Sequence, residues 1–599
     1  MSHNDYDSDV LVVGAGPMGA TTALALASLG VRVHMITRYR WLADTPRAHI
    51  TNQRALEVFR DLGVEDRMTV QGADWRLMGD TLITTSLTGP EIARIRAWGT
   101  GDDRIGDYLA ASPVGLLDIP QPKLENVLVS AAAERGATVG FNTEYLRLEQ
   151  DADGVTAYLR DRISGEERPW RCRYLVGADG ARSQVAEDVG LPIEGQTGRA
   201  TTAYVQFTAD LSRYVAHRPS ILYWIMNPVG SFGEIGLGLL RAVNPWNEWI
   251  AGWGHDPANG EPDFSTDVMR SRIRTLVGDP ELDVEVGRCS TWQVNQAYAT
   301  QFSVGRVFCG GDAVHRHPPS GGLGSNTSVQ DAHNLAWKLA LVVRGEADPA
   351  LLDSYTAERA PIARQIVERA NTSRVEFQGI RDALAVYGGN PLRAAEALAT
   401  DPSKDAVEAR RALGLAVQVK DYEFNAHGVE LNQRYQSAAV LPDPDVLPEE
   451  FARDPQLYVQ PSTRPGAKLP HAWVVGDDGT RVSTLDLVGC GRFSAVTGVA
   501  GFAWSEAVDA LGLNHLRSVV VGGPGAQDVY FKWAERREID EAGVLLVRPD
   551  GYIAWRHGPV ADREEAVRLL GAALTTVLGI TPPTTSLPVL GDATQEERS

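Results

Sequence analysis

The sequence predicts an α/β protein with three parts: a parallel-sheet unit, an inserted and mostly antiparallel sheet, and a separate C-terminal α/β unit. Three stretches carry this expectation. Asp9-Val10-Leu11-Val12-Val13-Gly14-Ala15-Gly16-Pro17-Met18-Gly19 is a buried-strand pattern running into GxGxxG. Gly310 to Lys338, GGDAVHRHPPSGGLGSNTSVQDAHNLAWK, lies between strand-like Arg306 to Cys309 and an amphipathic run. Thr201 to Thr291 is rich in aromatic and β-branched residues, the composition of a pleated, half-buried sheet.

The first stretch continues as a helical run, Ala20 to Leu29, and a second strand, Val31 to Ile36. In that strand–turn–helix–strand setting GxGxxG reads as a Rossmann-type dinucleotide site. Gly14 allows the tight turn, Gly16 lets backbone approach a pyrophosphate, and Gly19 lets helix and strand pack closely. Pro17 and Met18 stand between Gly16 and Gly19. In the second stretch Val329, Ala332, Leu335, Ala336, Leu339 and Val343 recur at helical spacing. The glycines and prolines before them form a constrained loop. A helix N-terminus there offers free N–H groups and partial positive charge to an anion or an electron-rich ring edge.

Between these anchors, residues 70–118 lack clean periodicity and read as strands and loops. Gln121 opens QPKLENVLVSAAAERG, a helix by its Leu124, Val127, Leu128, Ala131 spacing. Phe141 to Tyr158 reads as a strand pair turning at Asp153-Gly154. Tyr174 to Gly177 ends a buried strand in GADG, Gly177 to Gly180. The aromatic sheet supplies an apolar wall for a flat ligand, with Tyr223, Trp224 and Arg241 as its candidate contacts. From Tyr355 the chain is helical to about Leu415. A proline-rich stretch, Leu441 to Pro465, marks a boundary. Strand-like Phe493–Val499, Ser518–Val521 and Val544–Val547 alternate with helices beyond it. The expected units are 1–190 with 291–375, 70–118 with 191–290, a helical connection at 376–440, a last unit at 441–580, and a disordered tail at 581–599.

A length of 599 residues allows about three or four domain-sized units. The net charge of -20 disfavours a nucleic-acid partner. The four cysteines Cys172, Cys289, Cys309 and Cys490 are far apart, with no CxxC and no zinc spacing, which fits a reduced cytoplasmic chain. No signal peptide and no membrane-spanning run is expected; Lys338 interrupts the most apolar stretch. Asp312, His315 and His317 could suggest a metal cluster, but no second cluster completes it, so no metal is expected.

Taken together, the first GxGxxG, GADG at Gly177 to Gly180 and GDAVH at Gly311 to His315 resemble the three fingerprints of the class A flavoprotein aromatic hydroxylases. The likeness covers about the first 375 residues. PRAHITNQR (Pro46 to Arg54), RAVNPWNEW (Arg241 to Trp249) and GDAVHRHPPSGGLGSNTSVQD are similar to the phenol and dichlorophenol hydroxylases of that family. The resemblance implies a FAD-binding domain discontinuous around the inserted substrate sheet. It implies a thioredoxin-like C-terminal domain without disulfide chemistry, suited to packing or to homo-oligomer formation. It also implies reduction by NADPH or NADH and reaction with O2 through a flavin C4a-hydroperoxide, hydroxylating a phenol ortho to its hydroxyl.

Residue by residue, the resemblance assigns FAD to Gly14, Gly16, Pro17, Met18, Gly19, Gln121, Asp179, Gly180 and Asp312. Pro319, Gly321, Gly322, Leu323 and Gly324 would lie against the ring, with Ser325 and Asn326 opening the helix. Where the family has an acidic residue after the second strand, this chain has Thr37 and Arg38; Arg38 and Arg47 could hold the pyrophosphate or adenosine side. GGLG replaces the commoner GGQG, so Leu323 offers no amide. His49, in the loop beside the substrate hydroxyl, is the candidate acceptor of the phenol proton; Pro319 also faces the substrate. Alternatives are a hydroxylase of a larger polycyclic or polyketide-type phenol, a flavin oxidase or reductase that inserts no oxygen, and a non-catalytic flavin-binding protein.

Overall fold

The computed structural model describes residues 6–227, 237–388, 390–444 and 447–580. The tail expected at 581–599 lies outside the described residues. Ser8–Val13 is buried along its whole length and sits at the centre of the first sheet. It pairs in parallel with Val33–Ile36 and with Glu167–Gly177, and the latter pairs with Val307–Cys309. Thr138–Gly140 extends the parallel set beyond Val33–Ile36. The carboxyl ends of these strands carry GxGxxG, Thr37, GADG and Gly310, so all the glycine-rich turns open on one edge of the sheet. That edge is where open parallel sheets bind ligands.

Steric constraint explains the first motif. Gly14 has φ +115°, and a Cβ there would lie 2.2 Å from the Ala178 carbonyl oxygen. A Cβ on Gly19 would lie 1.9 Å from the Gly14 carbonyl oxygen. The Pro17–Ser28 helix can therefore seat on the strand only with glycine at both positions. It packs in turn against the Leu323–Arg344 and Gln121–Glu134 helices.

The inserted sheet has eight strands in the order His315–Arg316, Glu285–Ala299, Ile193–Thr208, Glu248–His255, Gly238–Asn244, Leu222–Ile225, Thr81–Thr84 and Glu91–Ile95. Every neighbouring pair is antiparallel except Leu222–Ile225 with Thr81–Thr84. The boundary expected near residue 290 falls inside one strand. Glu285–Ala299 continues past it because it follows the similarly long Ile193–Thr208 along most of its length, with two irregularities in register. A helix absent from the sequence reading, Thr266–Val277, buries Met269, Ile273, Leu276 and Val277 on one sheet face with Tyr223, Leu240 and Trp249. The opposite face turns Leu222, Trp224 and Leu239 toward Trp98, Phe377 and Phe424.

The C-terminal unit is a four-stranded sheet, ordered Leu516–Val520, Phe493–Thr497, Val544–Val547 and Ile553–His557. Its first pair is parallel and the next two are antiparallel. The Phe502–Leu511 and Arg563–Leu578 helices pack together beside it. Among the described residues no helix is long and apolar enough to cross a membrane.

A buried web of charge joins this unit to the rest. Glu358 accepts from Lys338 at 2.9 Å and from both terminal nitrogens of Arg548 at 2.5 and 2.8 Å. Arg548 also pairs with Asp550 at 2.5 Å, and Arg54 donates to the Asp550 carbonyl at 2.9 Å. Glu57 then holds Lys468 at 2.9 Å. Glu358, Lys338 and Arg548 have no exposed side-chain surface. Their mutual attraction keeps Glu358 ionised well below the usual carboxylate range, against its burial. Breaking one member leaves its partners charged and unpaired in the interior. Glu358→Ala is expected to lower stability by about 3–5 kcal/mol, read as a shift of the urea unfolding midpoint; an unchanged midpoint would mean that the web does not tie the units together.

Candidate functional site

A cavity of about 1360 Å³ runs from the glycine-rich edge of the parallel sheet to the Trp224 face of the inserted sheet. At its first end two helix N-termini open. Gly16 caps Pro17–Ser28 and Gly322, at φ 65°, caps Leu323–Arg344, both without a side-chain cap. Their first N–H groups are therefore left for a ligand. Arg38, Arg40, Arg47, Arg182, Arg288 and Arg316 also line the cavity and suit a pyrophosphate. Asp312 is open to the cavity, and its desolvated surroundings raise the carboxyl pKa against the pull of His315, Arg316 and Arg47. An uncapped helix start, a glycine cradle that no Cβ could enter and a carboxylate for a polyol hydroxyl fit a flavin dinucleotide.

Most of the residues expected at the cofactor line this cavity: Gly14, Gly16, Thr37, Arg38, Arg47, Gln121, Asp179, Gly180, Asp312, Pro319, Gly322, Gly324 and Ser325. Five do not, and each has a local reason. Pro17 is the first residue of its helix, behind the Gly16 cap. Met18 turns back, where a Cβ on Gly310 would meet its Cε at 2.4 Å, and Gly19 is spent on contact with Gly14. Leu323 is buried with Ile362, Ile366 and Val429, so it faces an apolar cluster and not the cavity. Asn326 stitches the neighbouring loop to the helix start: it donates to the Ile50 carbonyl at 2.8 Å and accepts from Asn52 N–H at 3.0 Å.

Two of the lining residues act through neighbours. The Asp179 carboxylate accepts from Ser183 Oγ at 2.5 Å and from Val185 N–H at 3.2 Å, so it shapes its own turn. Gln121 donates to Glu125 at 2.6 Å, and Glu125 also accepts from Ala43 N–H at 2.8 Å. Burial raises the pKa of Glu125.

At the other end of the cavity lie His49, Trp224, Arg241 and Pro319. Tyr223, expected beside them, does not line it. Strand alternation turns it to the far sheet face, where its ring meets Trp249. His49 is 6% exposed and donates from Nε2 to the Pro46 carbonyl at 2.8 Å. Nδ1 therefore keeps its lone pair; it has no hydrogen-bond partner, is sealed from the cavity and lies 3.7 Å from Asp118 Oδ1. Arg241 holds Asp118 with contacts of 2.5 and 3.3 Å. Arg241 also donates to the Ile221 and Ala242 carbonyls at 3.2 and 3.1 Å. Burial first and Arg241 second push the His49 pKa down to about 4, with Asp118 opposing them. The imidazole is thus neutral at neutral pH.

Backbone pairing fixes this cluster. Ile50–Thr51 and Leu117–Asp118 form a two-stranded ribbon with Ile50 opposite Asp118, and Ile119 N–H donates to the His49 carbonyl at 2.8 Å. Asp118 went unnoticed in the sequence, although a lone carboxylate in the apolar run GLLDIP was a usable signal. Tyr204, Trp292, Trp98 and Phe424 also line the cavity; the last two have no local signal, because distant segments bring them together.

A dinucleotide crevice joined to an aromatic chamber, with a buried histidine in its wall, is the arrangement of a flavin-dependent aromatic hydroxylase. Residues 7–370 match the FAD binding domain family, and residues 462–581 match the aromatic-ring hydroxylase, C-terminal family. The 2,4-dichlorophenol 6-monooxygenase of Cupriavidus pinatubonensis (strain JMP 134 / LMG 1197) is 49% identical over 558 residues, covering 92% of this chain and 93% of that protein. The phenol 2-monooxygenase of Pseudomonas sp. (strain EST1001) is 45% identical over 575 residues, covering 94% and 92%. The crystal structure of the flavin-dependent monooxygenase PieE in complex with FAD and substrate matches with TM-score 0.90 at 41% identity, covering 96% of this chain and 99% of that one. The chain belongs to the class A FAD-dependent aromatic hydroxylases, and it binds FAD.

Asp312 supplies the cavity-facing carboxylate at the cofactor end. Asp312→Ala is expected to weaken FAD binding by roughly 1.5–3 kcal/mol, the worth of one charge-assisted hydrogen bond, while leaving the phenol end intact. Titration of the apoprotein with FAD measures it, and an unchanged affinity with lost hydroxylation would move Asp312 to another role.

Proposed function

We propose that the protein hydroxylates a phenol ortho to its hydroxyl, with NADPH or NADH as reductant and O2 as co-substrate. The observation that carries the reading is the His49–Asp118–Arg241 cluster, set in an aromatic chamber at the end of the dinucleotide crevice. The two relatives above, whose names denote a phenol and a dichlorophenol monooxygenase, support it.

Bound FAD supplies the redox chemistry and the activation of O2. The chain's own residues prepare the phenol. Once a shift of the His49 loop uncovers Nδ1, which is sealed from the cavity here, the phenol hydroxyl would donate a hydrogen bond to it and electron density would rise at the ring carbon beside that hydroxyl. Positive charge gathering on the imidazole is met by Asp118, and Arg241 holds that carboxylate in place. With its pKa at about 4, His49 polarises the hydroxyl; it does not strip the proton outright. The uncapped N-terminus at Gly322 stabilises negative charge at the ring edge. Apolar walls exclude water, which protects the oxygen-transfer step. The arginines of the rim suit the phosphates of either nicotinamide cofactor. We read the C-terminal unit as thioredoxin-like from its strand order, with a packing role supported by the Glu358–Arg548 web.

His49→Ala is expected to keep FAD and its reduction by NADPH but to slow oxygen transfer by about 10²-fold, with more NADPH spent on hydrogen peroxide. The sign of the pH effect follows from the low pKa. His49 is neutral above about pH 4, so it sets no acid limb near 6.5 in the wild type. In His49→Ala the remaining activity should climb toward the phenol pKa, near 10 for an unperturbed phenol, as free phenolate forms. Product per NADPH consumed, measured across pH, tests this; wild-type coupling in the variant at every pH would remove His49 from the mechanism.

A further inference from the structure

His317 lines the cavity at its cofactor end, beside Pro319, Gly322, Gly324 and Ser325. Its Nδ1 lies 2.8 Å from the Pro318 carbonyl oxygen. A carbonyl can only accept, so Nδ1 carries the ring proton and Nε2 keeps a lone pair. Among the described residues Nε2 has no hydrogen-bond partner, and unlike Nδ1 of His49 it is not sealed from the cavity. Burial first and His315 second push the His317 pKa down to about 4, so the ring is a neutral acceptor at neutral pH.

The surroundings fix both the ring and what it can meet. His317 follows the His315–Arg316 strand, which pairs with Ala297 and Tyr298, and two prolines come after it. The His315 ring stacks beside it at 6.2 Å between centres, and His315 is itself held by Asp331 at 2.9 Å. A Cβ on Gly324 would lie 3.4 Å from Nε2, so the nitrogen stands against the first turn of the Leu323–Arg344 helix. That turn has no side-chain cap and offers N–H donors. An acceptor is thus set next to donors. A phosphate, which presents acceptor oxygens, gains nothing from such a lone pair. Among the described residues no three potential metal ligands gather, so a metal does not account for it either. The ligand that fits must bring an N–H or O–H to this point.

We propose that His317 holds the flavin: its Nε2 accepts a hydrogen bond from a donor of bound FAD, either the ring N3–H or a hydroxyl of the ribityl chain. The helix N–H groups take acceptors of the flavin, and His317 supplies the acceptor that they lack. A neutral imidazole suits this place better than a second carboxylate beside Asp312, because it positions the cofactor without adding negative charge near a ring that becomes negative on reduction. The inference rests on FAD binding and is independent of the phenol reading.

Titration of the full-length apoprotein with FAD, followed by flavin fluorescence, tests this without turnover. His317→Phe keeps a ring and removes the acceptor; it should weaken FAD binding about three- to tenfold, the worth of one hydrogen bond. His317→Gln, whose amide oxygen can replace Nε2, should recover part of the loss. Analogues then name the donor: N3-methyl-FAD, and three FADs that each lack one ribityl hydroxyl. The penalty of His317→Phe should vanish with the one analogue that lacks the paired donor. If His317→Phe does not fold, the wild type decides alone, and it should bind at least one of the four analogues about threefold or more weakly than FAD. Three results overturn the inference: a folded His317→Phe that binds FAD within about twofold of the wild type, a penalty of the same size with FAD and all four analogues, or a wild type that binds all five flavins alike. None of them touches the phenol reading, which turnover tests.

Discussion

The ion pair between Arg241 and Asp118 is the constraint on which the chemistry depends. Asp118 is 1% exposed and Arg241 9% exposed, so neither charge could be tolerated there alone. Arg241 belongs to the inserted sheet, and Asp118 to the ribbon that carries His49. The pair can form only when sheet and ribbon are docked, and docking them is what places the imidazole at the junction of crevice and chamber. One interaction thus closes the interface and sets the field felt by the acceptor. Arg241 helps to hold His49 neutral, and in the proposed reaction Asp118 would meet the charge that develops when the substrate hydroxyl donates to His49.

A second buried set of charges does for the C-terminal unit what this pair does for the sheet. Arg548 and Asp550 reach into the helices that carry the glycine-rich loop and the His49 ribbon, through Glu358, Asn334 and Arg54. The helix that starts at Leu323, at the cofactor end of the cavity, also supplies Asn334 and Lys338 to this web. None of this unit's described residues is among those lining the cavity, yet its packing bears on the helix that starts at the cofactor loop.

Much of the parallel unit was legible in the sequence because its constraints are local. Gly14 and Gly19 are fixed by contacts of under 3 Å with neighbouring backbone, and such contacts leave a spacing pattern. The direction of individual side chains was less legible. Tyr223 and Trp224 are adjacent aromatics, and which of them faces the chamber depends on the packing of both sheet faces, with Tyr223 on the side of the Thr266–Val277 helix. Leu323 and Asn326 sit inside a correctly placed loop, yet one fills a core and the other ties backbone together. Trp98 and Phe424 lie more than three hundred residues apart in sequence, and no window of sequence relates them. The pKa of His49 was illegible for the same reason: it is set by burial and by an arginine from another sheet.

The measurement that tests the central claim most directly is the coupling of NADPH consumption to hydroxylated phenol in Asp118→Asn. That change removes the carboxylate charge and keeps the shape of the side chain. If the Arg241–Asp118 pair holds the acceptor in working order, the variant should keep its FAD and its reduction by NADPH while product per NADPH falls about tenfold or more, with the balance appearing as hydrogen peroxide. A folded, FAD-loaded Asp118→Asn that couples as well as the wild type would contradict the account.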